Sequence, residues 1–183
     1  MLDALWARFG VAPHWCDLRF GGDMRYTAPR PQEIADFDRR LHLYYLASCR
    51  AIWRLLPQEG SRHGVELAEQ FLVGAATAEE LNKYHYFVEG AAFTIDYNTE
   101  PEAIKRWVSE VRAIPEAELR SMLHPPETAL QIDARELLKR AAYFADYAFI
   151  YPSIIRKLPP PPNYRPFLSA DLLRRHLDRP ILD

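Results

Sequence analysis

Proline placement constrains this chain more than any other feature. Fifteen prolines stand against seven glycines. A proline ring has no amide hydrogen to give and clashes with the turn before it, so it opens or ends helices more readily than it sits inside them. Pro31 and Pro57 bound one long segment, and Pro101, Pro115 and the pair Pro125-Pro126 mark three further breaks. Pro152 and the run from Pro159 to Pro162 close the last long stretch. The segments between these breaks have the length of ordinary helices. Leucine and alanine number 45 against 21 valine, isoleucine and threonine residues, and unbranched side chains keep their freedom in a helix where β-branched ones lose it. Together these predict an all-α fold: a single-domain helical bundle of about five main helices over residues 31–158. An irregular N-terminal arm (1–30) precedes it, and a proline-rich arm with a terminal helix (159–183) follows.

Apolar spacing locates the helices. Leu41, Tyr45, Cys49, Ile52 and Leu56 recur at three and four residues and share one face. A second helix is expected from Ser61 to Val73, with Gly74 in the left-handed position that closes it. Thr77-Ala-Glu-Glu80 reads as a capping box opening a third, which carries Leu81, Tyr84 and Val88 and is expected to end near Gly90. Phe93, Ile95 and Tyr97 then alternate with polar residues in a short strand-like period. Thr99-Glu-Pro-Glu102 reads as a second capping box, before a helix buried through Ile104, Trp107, Val108 and Val111. Pro115 opens a short helix. The longest is expected over 128–150, with Leu130, Ala134, Leu137, Ala141, Ala145 and Ala148 inward. The four-proline run predicts extended polyproline structure, and Ser169 caps a last helix carrying Leu172, Leu173 and Leu177.

The charges, 23 basic against 25 acidic, leave a net of -2. That balance lacks the bulk attraction of a nucleic-acid binder and argues against such a partner. The sequence holds no apolar run of the roughly 20 residues that span a bilayer, and no membrane partner is expected. With two cysteines and no visible secretion signal, the expected address is the cytoplasm and the expected thiols are free.

Cys49-Arg-Ala-Ile-Trp53, Leu55-Leu56-Pro57, Ser61-Arg62, Val65-Glu66, Ala68-Glu69 and Gly74-Ala-Ala-Thr77 before Glu79-Glu80-Leu81 form a pattern over residues 41–81. It resembles a motif in a family of uncharacterised helical bacterial proteins, whose members commonly carry a second short stretch near their ends. Ala170-Asp-Leu-Leu-Arg174 followed by Arg179-Pro180 is similar to that stretch. One cysteine stands where the family often has two, and Gln58-Glu-Gly60 replaces a more strongly charged turn. The resemblance implies a helix pair and carries no activity with it.

Catalytic chemistry finds little support in the residues. His14-Trp-Cys16-Asp17 gathers three possible metal ligands, yet the spacing of known zinc sites is absent. His14 and Cys16 are therefore weak metal candidates, and no metal or other cofactor is expected. Cys16 or Cys49 with His14, His42 or His63 has the elements of a nucleophile, but Cys49 lies on an apolar stripe, where a thiol acts as a small hydrophobe. His85 and Glu89 share a helix face without a second such pair. There is no phosphate-cradling glycine loop and no nucleophile elbow.

Ten tyrosines are the better lead, because tyrosine offers apolar area with one polar tip. Tyr44, Tyr84, Tyr143, Tyr147 and Tyr151 are the candidate binding residues. They are expected either to line a groove or to hold the chain's own proline-rich arm. The leading expectation is a non-enzymatic protein-interaction module, or a subunit of a larger assembly, whose partner is another protein. The alternatives are an enzyme or small-molecule binder with a tyrosine- and histidine-lined pocket (His42 or His85), and an immunity or antitoxin protein.

Overall fold

The structure, a computed structural model, describes residues 36–127, 131–154 and 162–177; for Phe37, residues 151–154 and Pro162 it describes the backbone alone. The fold is an all-α helical bundle. Among the described residues seven α-helices follow one another: α1 (Asp36–Ala51), α2 (Glu59–Leu72), α3 (Ala78–Tyr97), α4 (Pro101–Arg112), α5 (Glu116–Met122), α6 (Ala134–Ile154) and α7 (Ala170–Leu177). Two 3-10 turns, Trp53–Leu55 and Pro162–Phe167, join them. The N-terminal arm, with His14 and Cys16, lies outside the described residues, as do Leu130, Pro159 to Pro161, Arg179 and Pro180.

The predicted stripe of α1 is realised: Leu41, Tyr45, Cys49, Ile52 and Leu56 are fully buried. The helix ends at Ala51, several residues before Pro57, in the first 3-10 turn. Gly60 does not stop a helix but lies inside α2. A Cβ built there would fall 2.9 Å from the Phe87 carbonyl oxygen, and one at Gly64 would fall 2.5 Å from Val88 Cγ2. Two glycines one turn apart thus let α2 and α3 cross closely. Gly74, at φ 76°, takes the left-handed position beyond α2.

Thr77 and Glu80 form the expected capping box, the Glu80 amide donating to Thr77 Oγ1 and the Thr77 amide to Glu80 Oε2. Beyond it two expectations fail. Gly90 does not end α3, and the alternation of Phe93, Ile95 and Tyr97 is not a strand. The helix runs on to Tyr97 and closes on Asn98 at φ 52°. Alternation misleads here because Ile95 faces the core while Phe93 and Tyr97 face outward. The second capping box does not form either. Glu100 is the N-cap of α4 and makes no side-chain cap bond, although Pro101 takes the early position that tolerates it.

α6 is the axis of the bundle. Helices α1, α2, α3 and α4 and both 3-10 turns pack on it. Ala141, Ala142, Ala145 and Ala148 are fully buried, which brings neighbouring backbones close. The helix starts at Ala134, later than its spacing suggested, with Asp133 Oδ2 accepting the Arg135 amide, and it continues two residues past Pro152. Pro162 opens a 3-10 turn instead of continuing a polyproline stretch. That turn docks by aromatics: Tyr164 lies 5.6 Å from both Phe144 and Tyr147, and Phe167 lies 5.6 Å from Phe144. The Ser169 cap is present, accepting the Leu172 amide, and Leu173 and Leu177 bury α7 against α1.

Candidate interaction face on the third helix

A surface helix normally shows one apolar stripe to the core and charge to the solvent. α3 departs from this. Its inner stripe is Leu81, Val88, Ala92 and Ile95, all buried. Its opposite face carries Tyr86, Phe87, Phe93 and Tyr97, which are 77%, 65%, 36% and 70% exposed. At 3.6 residues per turn, Lys83, Tyr86, Gly90, Phe93 and Tyr97 follow one line down the outside of the helix. At its centre, a Cβ added to Gly90 would meet nothing within 4 Å.

Neighbouring elements extend this face at both ends. Tyr84 stacks on Phe87 at 5.2 Å and meets His63 of α2 edge-on at 4.5 Å. Phe93 meets Tyr97 at 5.7 Å and Tyr143 of α6 at 6.0 Å. The Tyr143 hydroxyl donates to Asp96 Oδ2 at 2.9 Å, and Lys139 Nζ donates to Asp96 Oδ1 at 2.5 Å. These bonds, Lys139 first, hold the Asp96 carboxyl below its ordinary range. Tyr143 is pushed up by burial and by the Asp96 carboxylate it serves, so it stays a neutral donor.

Of the other predicted tyrosines, Tyr44 and Tyr147 are in the core. Burial raises the pKa of both. Tyr45 bridges them, 5.4 Å from each ring. The side chain of Tyr151 lies outside the described residues. Sequence reasoning missed Phe87, Phe93 and Tyr97 as an exposed set. The signal was present, because continuing the helical period through Gly90 puts them on one face opposite Leu81 and Val88.

The residues of the 41–81 pattern hold the first two helices together. Arg50 grips Glu69 with two bonds, of 3.0 and 2.6 Å, and lies 4.1 Å over the Trp53 ring, while Arg62 lies 5.5 Å from the same ring. Arg62 also donates to the Trp53 carbonyl oxygen, and Arg39 donates to the Leu72 carbonyl oxygen. Cys49 is buried and free, and burial pushes its thiol well up, which makes it a poor nucleophile. Among the described residues no three histidine, cysteine, aspartate or glutamate side chains gather as a metal set. None of the described helices is long and apolar enough to cross a membrane. Comparison with protein-family models, with curated proteins and with solved structures finds no match.

Proposed function

We propose that this protein is a non-enzymatic interaction module whose outer α3 face docks a basic amphipathic helix of another protein. One observation carries the reading: a helix that is apolar on both faces is at home only when both are covered, and the outer row of α3 is open. Tyrosine and phenylalanine rings supply large contact area at small entropic loss, as at the centres of known interfaces. Gly90 supports the choice of a helix as partner. A helix-interior glycine costs about 0.5–1 kcal/mol against alanine, and no described residue packs on it. Gly60 and Gly64 show what such residues achieve in this fold, a close helix crossing. Charge sets the sign of the partner. α3 carries Glu79, Glu80, Glu89 and Asp96 against Lys83. Lys83 offsets Glu79 and Lys139 of α6 offsets Asp96, so Glu80 and Glu89 leave the balance acidic. Exposed rings favour lysine and arginine through cation–π contact. The bacterial origin implied by the sequence resemblance and the cytoplasmic address expected from the cysteine usage belong to the same proposal.

Two synthetic amphipathic helices with one apolar face test it, one flanked by lysine and arginine and the other by glutamate. The basic peptide is expected to bind saturably in fluorescence anisotropy. Changing Tyr86 and Tyr97 together to serine should abolish that binding without lowering the melting temperature. Equal binding of both peptides, binding indifferent to the double change, or sedimentation showing that a second copy already covers this face would overturn the reading.

A further inference from the structure

A cleft of about 500 Å³ opens between α4 and the junction of α3 with α6. The volume lies in the range of small-molecule sites, roughly 300–1,000 Å³. Its apolar side is formed by Ile104 and Val108, both buried. Its polar side holds three cations, Lys105, Arg112 and Arg135, against one carboxylate, Asp133. The cations differ in commitment. Lys105 pairs with Glu102 at 2.7 Å. Arg135 is braced by two neutral acceptors, the Ile95 carbonyl oxygen at 3.2 Å and Asn98 Oδ1 at 3.4 Å, which orient the guanidinium without cancelling its charge. Asp133 is engaged by the backbone, accepting the Arg135 amide at 2.8 Å. Among the described residues the Arg112 side chain makes no hydrogen bond or ion pair.

We propose that this cleft binds a small organic anion, a phosphate monoester or carboxylate with a compact apolar body. The apolar part lies on Ile104 and Val108, and the anion lies between the guanidinium groups of Arg112 and Arg135. An arginine fork matches phosphate and carboxylate geometry, and a charge-assisted bond is about twice as strong as a neutral one. The site is remote in composition from the α3 aromatic row, and neither proposal rests on the other.

Phenyl phosphate is the probe, with phenol and inorganic phosphate as its two halves, read by amide chemical shifts of Val108, Ser109 and Arg112. Phenyl phosphate is expected to shift these amides saturably, with each half about tenfold weaker or worse. Arg112→Gln should weaken binding by about tenfold, while Arg106→Gln, which removes the same charge from the solvent side of α4, should leave it unchanged. Circular-dichroism melts establish that both variants are folded. Equal loss in the two variants would reduce the effect to general charge and overturn the site. So would the absence of saturable shifts, or shifts produced by phosphatidate vesicles and not by phenyl phosphate, which would assign the phosphate to a lipid surface.

Discussion

His42 of α1 donates its Nε2 hydrogen to the carbonyl oxygen of Ala148 on α6, 2.7 Å away inside the core. The acceptor is a carbonyl, so the bonding hydrogen sits on Nε2, and it is burial that keeps the ring neutral. Burial, only partly offset by that bond, lowers its pKa from 6.5 to about 3. Two residues earlier on α6, Asp146 is shifted the opposite way. Burial first, and Glu89 second, raise it from 3.8 to about 7. Its Oδ1 is buried with no hydrogen-bond partner among the described residues. Below its ordinary pKa, unfolded His42 takes up a proton that the fold refuses, so this group lowers stability as pH falls. Over nearly the same range the fold keeps on Asp146 a proton that the unfolded chain releases, so that group raises stability as pH falls. Between about pH 4 and 6.5 the two slopes oppose one another.

Asp146→Asn removes one of the slopes. At neutral pH the variant should be more stable than the parent by roughly 1–3 kcal/mol, a range reduced for the partial exposure of the carboxyl group. The gain should shrink to nothing near the ordinary carboxylate pKa, leaving the steeper acid loss due to His42. Urea denaturation across the range measures this, and a gain that does not vary with pH would contradict it.

The two classes of helical glycine should respond oppositely to alanine. At Gly64 the new methyl group meets Val88 at 2.5 Å, a stiff β-branched side chain that cannot swing aside. The net loss is expected to be about 1–2 kcal/mol, overpacking outweighing the gain in helix propensity. At Gly90 the methyl group enters open space, and stability should rise by about 0.5–1 kcal/mol. Melting temperatures of the two variants give the comparison, and two changes of the same sign would refute it.

Gln58 is 1% exposed, and among the described residues neither its Nε2 nor its Oε1 has a hydrogen-bond partner. Gln58→Met keeps the shape and removes the polar atoms, so stability is expected to rise by about 1–3 kcal/mol. A clear loss in a denaturant titration would show that the amide is satisfied in solution.

The bundle was readable wherever local chemistry and burial agreed. The stripe from Leu41 to Leu56, the Thr77–Glu80 box and the Gly74 closure needed no knowledge of neighbours. The second half of α3 was not readable, because Gly90 looks like a stop signal and an outward aromatic row erases the amphipathic pattern. Thr99 failed as a cap because α4 opens one residue later than the spacing suggests, with Glu100 as its N-cap. Tyr44 and Tyr147 look like Tyr84 and Tyr143 in sequence. Only the crossing of α1 and α6 decides which pair is buried. The α4 cleft was invisible for the same reason, since tertiary packing alone brings Arg112 and Arg135 to the lining of one cleft.

The C-terminal arm is part of the core. Tyr164, Phe167, Leu168, Leu173 and Leu177 are all buried, and Phe167→Ala should lose about 3–5 kcal/mol. Truncation after Ile154 should then yield aggregation or a much lower melting temperature. An unchanged melt would refute the docking of the second 3-10 turn on Phe144 and Tyr147.

Nearly every element of the bundle leans on α6, and the alanines that allow this leave its neighbours no separate core to fall back on. Loosening α6 anywhere withdraws support from α1, α2, α3 and α4 together. Its central amides, around Ala141 to Ala148, should therefore exchange with solvent only when the whole molecule opens, at one common free energy. The amides of α5, which buries Met122 and half-buries Leu119 against the core, should exchange through local fraying long before that.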